Sequence, residues 1–278
     1  MAERQDDVRK HYGLPEMAAK VIAALEAAGI DPKHLKAEQL YPFDQFHGRN
    51  LDATRDHVAL LKLQSSDTVL DIGSGLGGPA RYIAATHGAK VTGIDLTPEF
   101  VATERMLSER CGLSGQVAFQ EGDALAMPFA GGTFNAMLCL YVAMNIEDKA
   151  KLAAEIYRVL KPGGRLVWSQ VVLGDGDAPQ FPLPWAREAA FSFLTKPENL
   201  RKAIEDSGLK IVEWIDERPI ILSSMQQLRA AAAPPPPATA AIHDMLLGAD
   251  FPERRKNFGR NMAEGRIGSI VLVAEKPR

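Results

Sequence analysis

Cysteine is scarce in this chain. Its 278 residues include two, Cys111 and Cys139, far apart and outside any CxxC or Cys/His cluster. That excludes a disulfide framework and a structural zinc site, and leaves two free thiols in a reducing compartment. Excess positive charge is also missing: 32 Lys and Arg stand against 35 Asp and Glu, for a net charge of −3. A polyanion-binding surface needs a basic surplus, so nucleic acid is not an expected partner. No apolar run approaches the roughly 18 residues of a membrane span. The first one, residues 17–30, is interrupted by Lys20 and Glu26, so a signal peptide is not expected there. No membrane association and a cytoplasmic location are expected. Nor is there an internal repeat. The one low-complexity stretch is Ala230–Ala233 followed by Pro234–Pro237, and the proline run reads as a stiff, exposed spacer.

Apolar residues are plentiful, at 46%, enough to fill a sizeable core. Residues 1–66 read as a helical cap. Met17, Val21, Ile22, Leu25 and Ala28 recur at helical spacing, and Gly29 can stop that helix. Asp31 as N-cap with Pro32 behind it predicts a second helix start. A polar and aromatic loop, residues 41–48, precedes a helix from about Leu51 to Leu61.

The rhythm changes at Asp67. Strands are predicted at 68–72, 90–95, 117–121, 134–140 and 165–171, with helices at about 79–87, 98–111 and 148–159. Strands separated by helices require right-handed crossovers and a parallel sheet. The expected fold is therefore α/β, a doubly wound and mostly parallel Rossmann-like sheet occupying 67–278. Two insertions, at about 174–197 and 221–262, would form a lid. The first carries a predicted short helix, Trp185 to Leu194. A helix at 198–207, a strand at 209–215 and a closing strand at 269–274 complete the pattern.

The central motif is Val69-Leu-Asp-Ile-Gly-Ser-Gly-Leu-Gly-Gly78. Gly73, Gly75 and Gly78 fit GxGxxG between a strand and a helix, where bare backbone lets a ligand approach closely. Asp95 ends the second strand, where a carboxylate can accept both ribose hydroxyls of an adenosine. The turn holds no Lys or Arg, and Asp71 precedes its glycines. A carboxylate there opposes a pyrophosphate but suits the ammonium of a methionine moiety. At about 4 Å and an effective dielectric constant near 20, that attraction is about 4 kcal/mol before desolvation.

These residues, with Gly93-Ile-Asp95, Glu121-Gly-Asp-Ala124, Phe134–Leu140 and Leu160-Lys-Pro-Gly-Gly-Arg165, resemble the class I S-adenosylmethionine methyltransferases over about residues 67–173. Asn135 departs from the usual Asp. The resemblance implies S-adenosyl-L-methionine as cofactor, no metal, and a seven-stranded sheet. It implies that backbone at Gly73 and Gly75 contacts the methionine part, and that Asp95 holds the ribose with Leu96 beside the adenine. It further implies that Asp123 and the Ala124 N–H read the adenine, while the Leu140 carbonyl meets the ammonium. Asp44-Gln-Phe-His47 with Ala53-Thr54 resembles the opening segment of sarcosine and dimethylglycine N-methyltransferases. Leu76-Gly-Gly-Pro-Ala-Arg81 fits that group and the tocopherol and phosphoethanolamine enzymes. This narrower likeness implies that Gln45 and His47 lie over the cofactor.

Methyl transfer from a sulfonium is an in-line displacement driven by alignment and desolvation. Tyr12, His47 and Tyr141 are the acceptor-pocket candidates. Gln170 either binds a polar acceptor or satisfies backbone groups. The expected acceptor is a small molecule, with an amine of glycine-betaine type favoured. A C- or O-methyltransferase of a quinone, sterol or polyketide stays open. A nicotinamide-dependent reductase shares the glycine turn but lacks a place for Asp71, and no Tyr-x-x-x-Lys pair is visible. The expected assembly is a monomer or homodimer.

Overall fold

The computed structural model describes residues 11–45, 47–230 and 248–278. The proline run Pro234–Pro237 lies outside the described residues. Among those residues the elements run α1 (Met17–Ala27), α2 (Ala37–Leu40), α3 (Asn50–Leu61), β1 (Thr68–Ile72), α4 (Gly78–His87), β2 (Lys90–Asp95), α5 (Pro98–Arg110), β3 (Val117–Glu121), β4 (Phe134–Leu140), α6 (Lys149–Val159), β5 (Leu160–Leu173), α7 (Pro197–Asp206), β6 (Lys210–Asp216), α8 (Arg218–Ala230), α9 (Phe251–Ala263) and β7 (Ile267–Glu275). No described helix is long and apolar enough to cross a membrane.

The seven strands form one sheet in the order β3-β2-β1-β4-β5-β7-β6. The first five are parallel, and β7 enters antiparallel between β5 and β6. The expected doubly wound sheet is what forms. Both faces are covered, so β1 is apolar almost throughout rather than alternating. Leu70 and Ile72 point to the side carrying Ile156 of α6 and Ile204 of α7. Val69 points to the side carrying Val58 of α3, Ile83 of α4 and Val101 of α5. Each such fully buried side chain stabilises the fold by about 1.5–3 kcal/mol relative to exposure. A third layer forms where the cap's Met17, Val21, Leu25 and Phe43 pack on Phe100 and Leu107 of α5.

Local signals start the helices as expected in most places. Pro98 opens α5, and the Asp148 side chain accepts the Lys151 N–H at 2.8 Å ahead of α6. Two expectations fail. Asp31 does not cap a helix; it accepts the Lys33 N–H at 3.0 Å in a turn, and α2 begins at Ala37. The intervening chain is fastened instead to the end of α5, through Leu35 N–H to the Arg110 carbonyl and Arg110 to the Pro32 carbonyl. Residues 185–194 also form no α-helix. Only Ala189–Phe191 make a 3₁₀ turn. The Phe193 N–H is taken by the Met144 carbonyl at 2.9 Å and its own carbonyl by Lys149 Nζ at 2.7 Å, so helix bonds lose their partners.

Strand β5 is longer than expected because the Lys161–Gly164 turn pairs with the end of β7 through Gly163 N–H to the Lys276 carbonyl. The lid has its own apolar cluster, with Leu183, Trp185, Ile221 and Met262 against Met144 and Val171. The Trp185 indole donates to Ser192 Oγ at 2.9 Å.

Candidate active site

Strands β1 to β5 end on one edge of the sheet. Strand β6 runs the same way, because β7 is antiparallel to both of its neighbours. That carboxyl edge is where open α/β sheets bind ligands. The glycine turn lies there after β1. Gly73, Gly75 and Gly77 adopt φ of 68°, 57° and 75°, the left-handed region that glycine occupies without penalty. A Cβ on Gly73 would stand 2.3 Å from Val142 Cγ2, so the turn presses directly on the segment after β4. The Gly73 and Ser74 N–H groups donate to the Ile94 carbonyl at 2.8 and 3.0 Å.

Asp95 braces this turn. One carboxylate oxygen accepts the Gly75 N–H at 3.0 Å and the other accepts the Thr97 N–H at 2.9 Å. Burial pushes its pKa up, against the pull of those two N–H groups. Leu96 follows at the same edge. Asp95 pairs in register with Glu121, and its carbonyl accepts the Gly122 N–H, so Asp123 and Ala124 start on the neighbouring strand end. Asp123 Oδ1 accepts the Leu125 N–H at 2.8 Å, which shapes this second turn.

Asp71 lies beneath the turn. It is buried, and its Oδ2 meets no hydrogen-bond partner among the described residues. Burial first, then the Asp95 charge, push its pKa up to about 7, against the Ala80 N–H and Arg81. Arg81 brings no free charge to the turn. Its guanidinium is buried and donates to Asp44 Oδ2 at 2.8 Å, Ser108 Oγ at 3.1 Å and the Leu76 carbonyl.

Asp44 and Gln45 carry the cap across the start of α4. A Cβ on Gly78 would stand 2.3 Å from the Asp44 carbonyl and 2.4 Å from Gln45 Nε2. Both polar ends of Gln45 are used, since Nε2 donates to Asp44 Oδ1 at 2.7 Å and Oε1 accepts Thr54 Oγ at 2.5 Å.

The structure brings His47 and Tyr141 together, with rings stacked at 5.8 Å and 14°. Burial, then His57, bring the His47 pKa down to about 4. Tyr141 directly follows Leu140, the last residue of β4, and adopts φ of 55°. Burial and then Glu217 raise its phenol pKa. Tyr12 stands apart from that pair, beside Phe100, and accepts from Asn145 Nδ2 at 3.3 Å. Burial raises it to about 12. Gln170 is buried and accepts the Trp168 indole N–H at 3.1 Å.

Sequence reasoning missed a polar cluster around Glu217. Its Oε1 accepts from Arg49 at 2.9 Å and His57 Nε2 at 3.0 Å, and the Tyr141 hydroxyl donates to Oε2 at 3.3 Å. Burial alone would raise the Glu217 pKa, but His57 and Arg49 outweigh it and bring it to about 2. One signal was available: Glu217 directly follows β6, a strand ending on the same edge as the glycine turn.

Residues 70–168 match the family model of a methyltransferase domain. The matched stretch holds the glycine turn, Asp95, Asp123 and Tyr141, while the cap and lid flank it. An O-methyltransferase of Pyrenophora dematioidea is 29% identical to this chain over 151 residues, 54% of this chain and 57% of that protein. The chain spans less than two thirds of the length of the curated relatives it matches, 57%, 35% and 63% in three cases. Among solved structures, a phosphoethanolamine N-methyltransferase 2 of Haemonchus contortus superposes with a TM-score of 0.68 at 20% identity, covering 98% of this chain and 61% of that one. A geranyl diphosphate C-methyltransferase of Streptomyces coelicolor A3(2) gives 0.69 at 18% identity, covering 98% of each. At these identities the likeness is one of fold. By name the three act at oxygen, nitrogen and carbon; a putative sarcosine dimethylglycine methyltransferase of Galdieria sulphuraria also superposes, with a TM-score of 0.61 at 15% identity, covering 81% of this chain and 84% of that one.

Proposed function

We propose that this chain transfers a methyl group from S-adenosylmethionine to a small-molecule acceptor. The observation that carries the reading is the glycine turn set over a buried carboxylate. The turn presents backbone and no cation, and Asp71 beneath it has an oxygen without a partner. This suits a cationic ligand and opposes a pyrophosphate. Asp71 would face the ammonium, and the Leu140 carbonyl would share it. Asp95, at the end of β2 and braced by the Gly75 and Thr97 N–H groups, would accept the ribose hydroxyls. Leu96, Asp123 and Ala124 would frame the adenine. Gln45 and His47 would cover the cofactor from the cap.

S-adenosylmethionine bound there supplies an electrophilic methyl on a cationic leaving group. The chain's own contribution is alignment and exclusion of water by the cap and lid. The acceptor we favour is an amine, the least demanding nucleophile for this site because it needs only to arrive neutral. His47, held neutral down to about pH 4, is a weak base, and the raised Tyr141 phenol keeps its proton. Sarcosine and dimethylglycine are the first amines to test. A second reading, O- or C-methylation of an apolar acceptor, draws on the lid's apolar wall of Met144, Leu183 and Trp185.

The test is S-adenosylhomocysteine release from S-adenosylmethionine with glycine derivatives, larger amines, phenols and prenylated or sterol acceptors. Turnover of a small amine above all others supports the favoured reading. Turnover confined to phenols or apolar acceptors replaces it with the second.

A further inference from the structure

The cap and the sheet edge meet at one buried carboxylate. Glu217 is 3% exposed, and both its oxygens are occupied. Oε1 takes Arg49 and His57, while Oε2 takes Tyr141 at 3.3 Å, Ser169 at 3.4 Å and Ser269 at 3.5 Å. Its backbone N–H donates to the Ser269 carbonyl at 2.8 Å. Little capacity is left for a substrate, so its role is to hold other groups. Those groups come from different parts of the chain. Arg49 and His57 belong to the cap, 168 and 160 positions away. Tyr141 directly follows β4, and the two serines lie on β5 and β7.

Two of the held residues are strained. Arg49 and Tyr141 have φ of 65° and 55°, a region that disfavours any side chain with a Cβ. Such conformations persist only where the surroundings over-determine them. Both side chains meet Glu217, while Arg49 also donates to Asp56 at 2.7 Å and the Tyr141 hydroxyl also bonds Ser269 Oγ at 3.2 Å. Tyr141 is further fixed by its N–H to the Ser169 carbonyl at 2.8 Å and by the His47 ring stacked on it.

We propose that Glu217 is a positioning residue, a latch that holds cap residues 49–57 and the strained Tyr141 in the arrangement that closes the acceptor side of the site. The inference rests on the methyltransferase reading for what the site binds, while the latch is a property of the free chain.

Hydrogen exchange followed by mass spectrometry on the full chain tests it, comparing wild type with Glu217→Gln and Glu217→Asp, with and without S-adenosylhomocysteine. The glutamine variant should exchange about ten- to hundredfold faster in residues 49–57 and 141–145, as expected when bonds to a charged group are lost. Strands β1 and β2 should be unchanged. The aspartate variant, which keeps the charge, should show a smaller rise in the same two segments. S-adenosylhomocysteine should leave the glutamine variant faster than wild type. No rise in the two segments, or an equal rise throughout the sheet, overturns the latch. If the wild type does not bind S-adenosylhomocysteine, the methyltransferase reading fails, and exchange in the free protein still decides the latch.

Discussion

The carboxylate of Asp95 accepts the N–H of Gly75 at 3.0 Å, so the acid that ends β2 braces the turn that follows β1. The other oxygen fixes the Thr97 N–H ahead of α5. One side chain therefore sets the shape of the turn and the entry to the next helix, and in the proposed function it also carries the ribose.

Asp95→Ala removes these contacts together. S-adenosylhomocysteine affinity, measured by calorimetry, should fall at least about tenfold, the scale of one or two bonds to a charged acceptor. Unchanged affinity would remove Asp95 from the cofactor site.

Asp71 makes the site pH-sensitive. Its folded pKa, about 7, lies above the ordinary value of 3.8, so the folded protein holds a proton that the unfolded chain releases. The stability this group contributes is full below about 3.8 and is lost as pH rises through about 7. A bound ammonium favours the ionised form and reverses that preference. S-adenosylmethionine affinity should therefore strengthen from pH 5 to pH 8, by up to about tenfold per unit below 7. Asp71→Asn should flatten the profile and bind more weakly at pH 8. A flat wild-type profile would separate Asp71 from the ligand.

Gly73 has no room for a side chain. Gly73→Ala combines a φ of 68° with a 2.3 Å contact to Val142 Cγ2, and thermal unfolding should show a loss of about 1–3 kcal/mol. Adding Val142→Ala should recover the contact part and leave the backbone part. Full recovery, or no initial loss, would contradict the close approach of the turn to the segment after β4.

Much of this arrangement was legible before any coordinates. Strands β1 and β4 are short, mostly apolar runs, as a sheet covered on both faces requires, and Gly73 and Gly122 directly follow β1 and β3. Asp95 ends β2, so local position nominated it, whereas Asp123 was named only through the family resemblance. The Glu217 cluster was not legible because its partners meet only through the order of the sheet. Residues 185–194 were misread for a related reason. Their aromatic spacing suits a helix, but Met144 and Lys149 claim the Phe193 backbone from outside the segment. Asp31 has a good cap's chemistry, yet Arg110 holds the following chain elsewhere.

The Asp44–Arg81 pair shows the same dependence on distant partners. Both are fully buried, at 2.8 Å, and the cap rests on them. Arg81→Met leaves Asp44 buried without its counter-charge and should cost about 3–5 kcal/mol in chemical denaturation. The double variant Asp44→Asn, Arg81→Met should recover part of that loss. A double variant less stable than the single one would show that the pair is not the source.

The most direct measurement of the central claim is equilibrium binding of S-adenosylmethionine and NADH to the purified chain under one set of conditions. The glycine turn over Asp71 predicts saturable binding of S-adenosylmethionine and none of NADH. Binding of NADH with no response to S-adenosylmethionine would contradict the account.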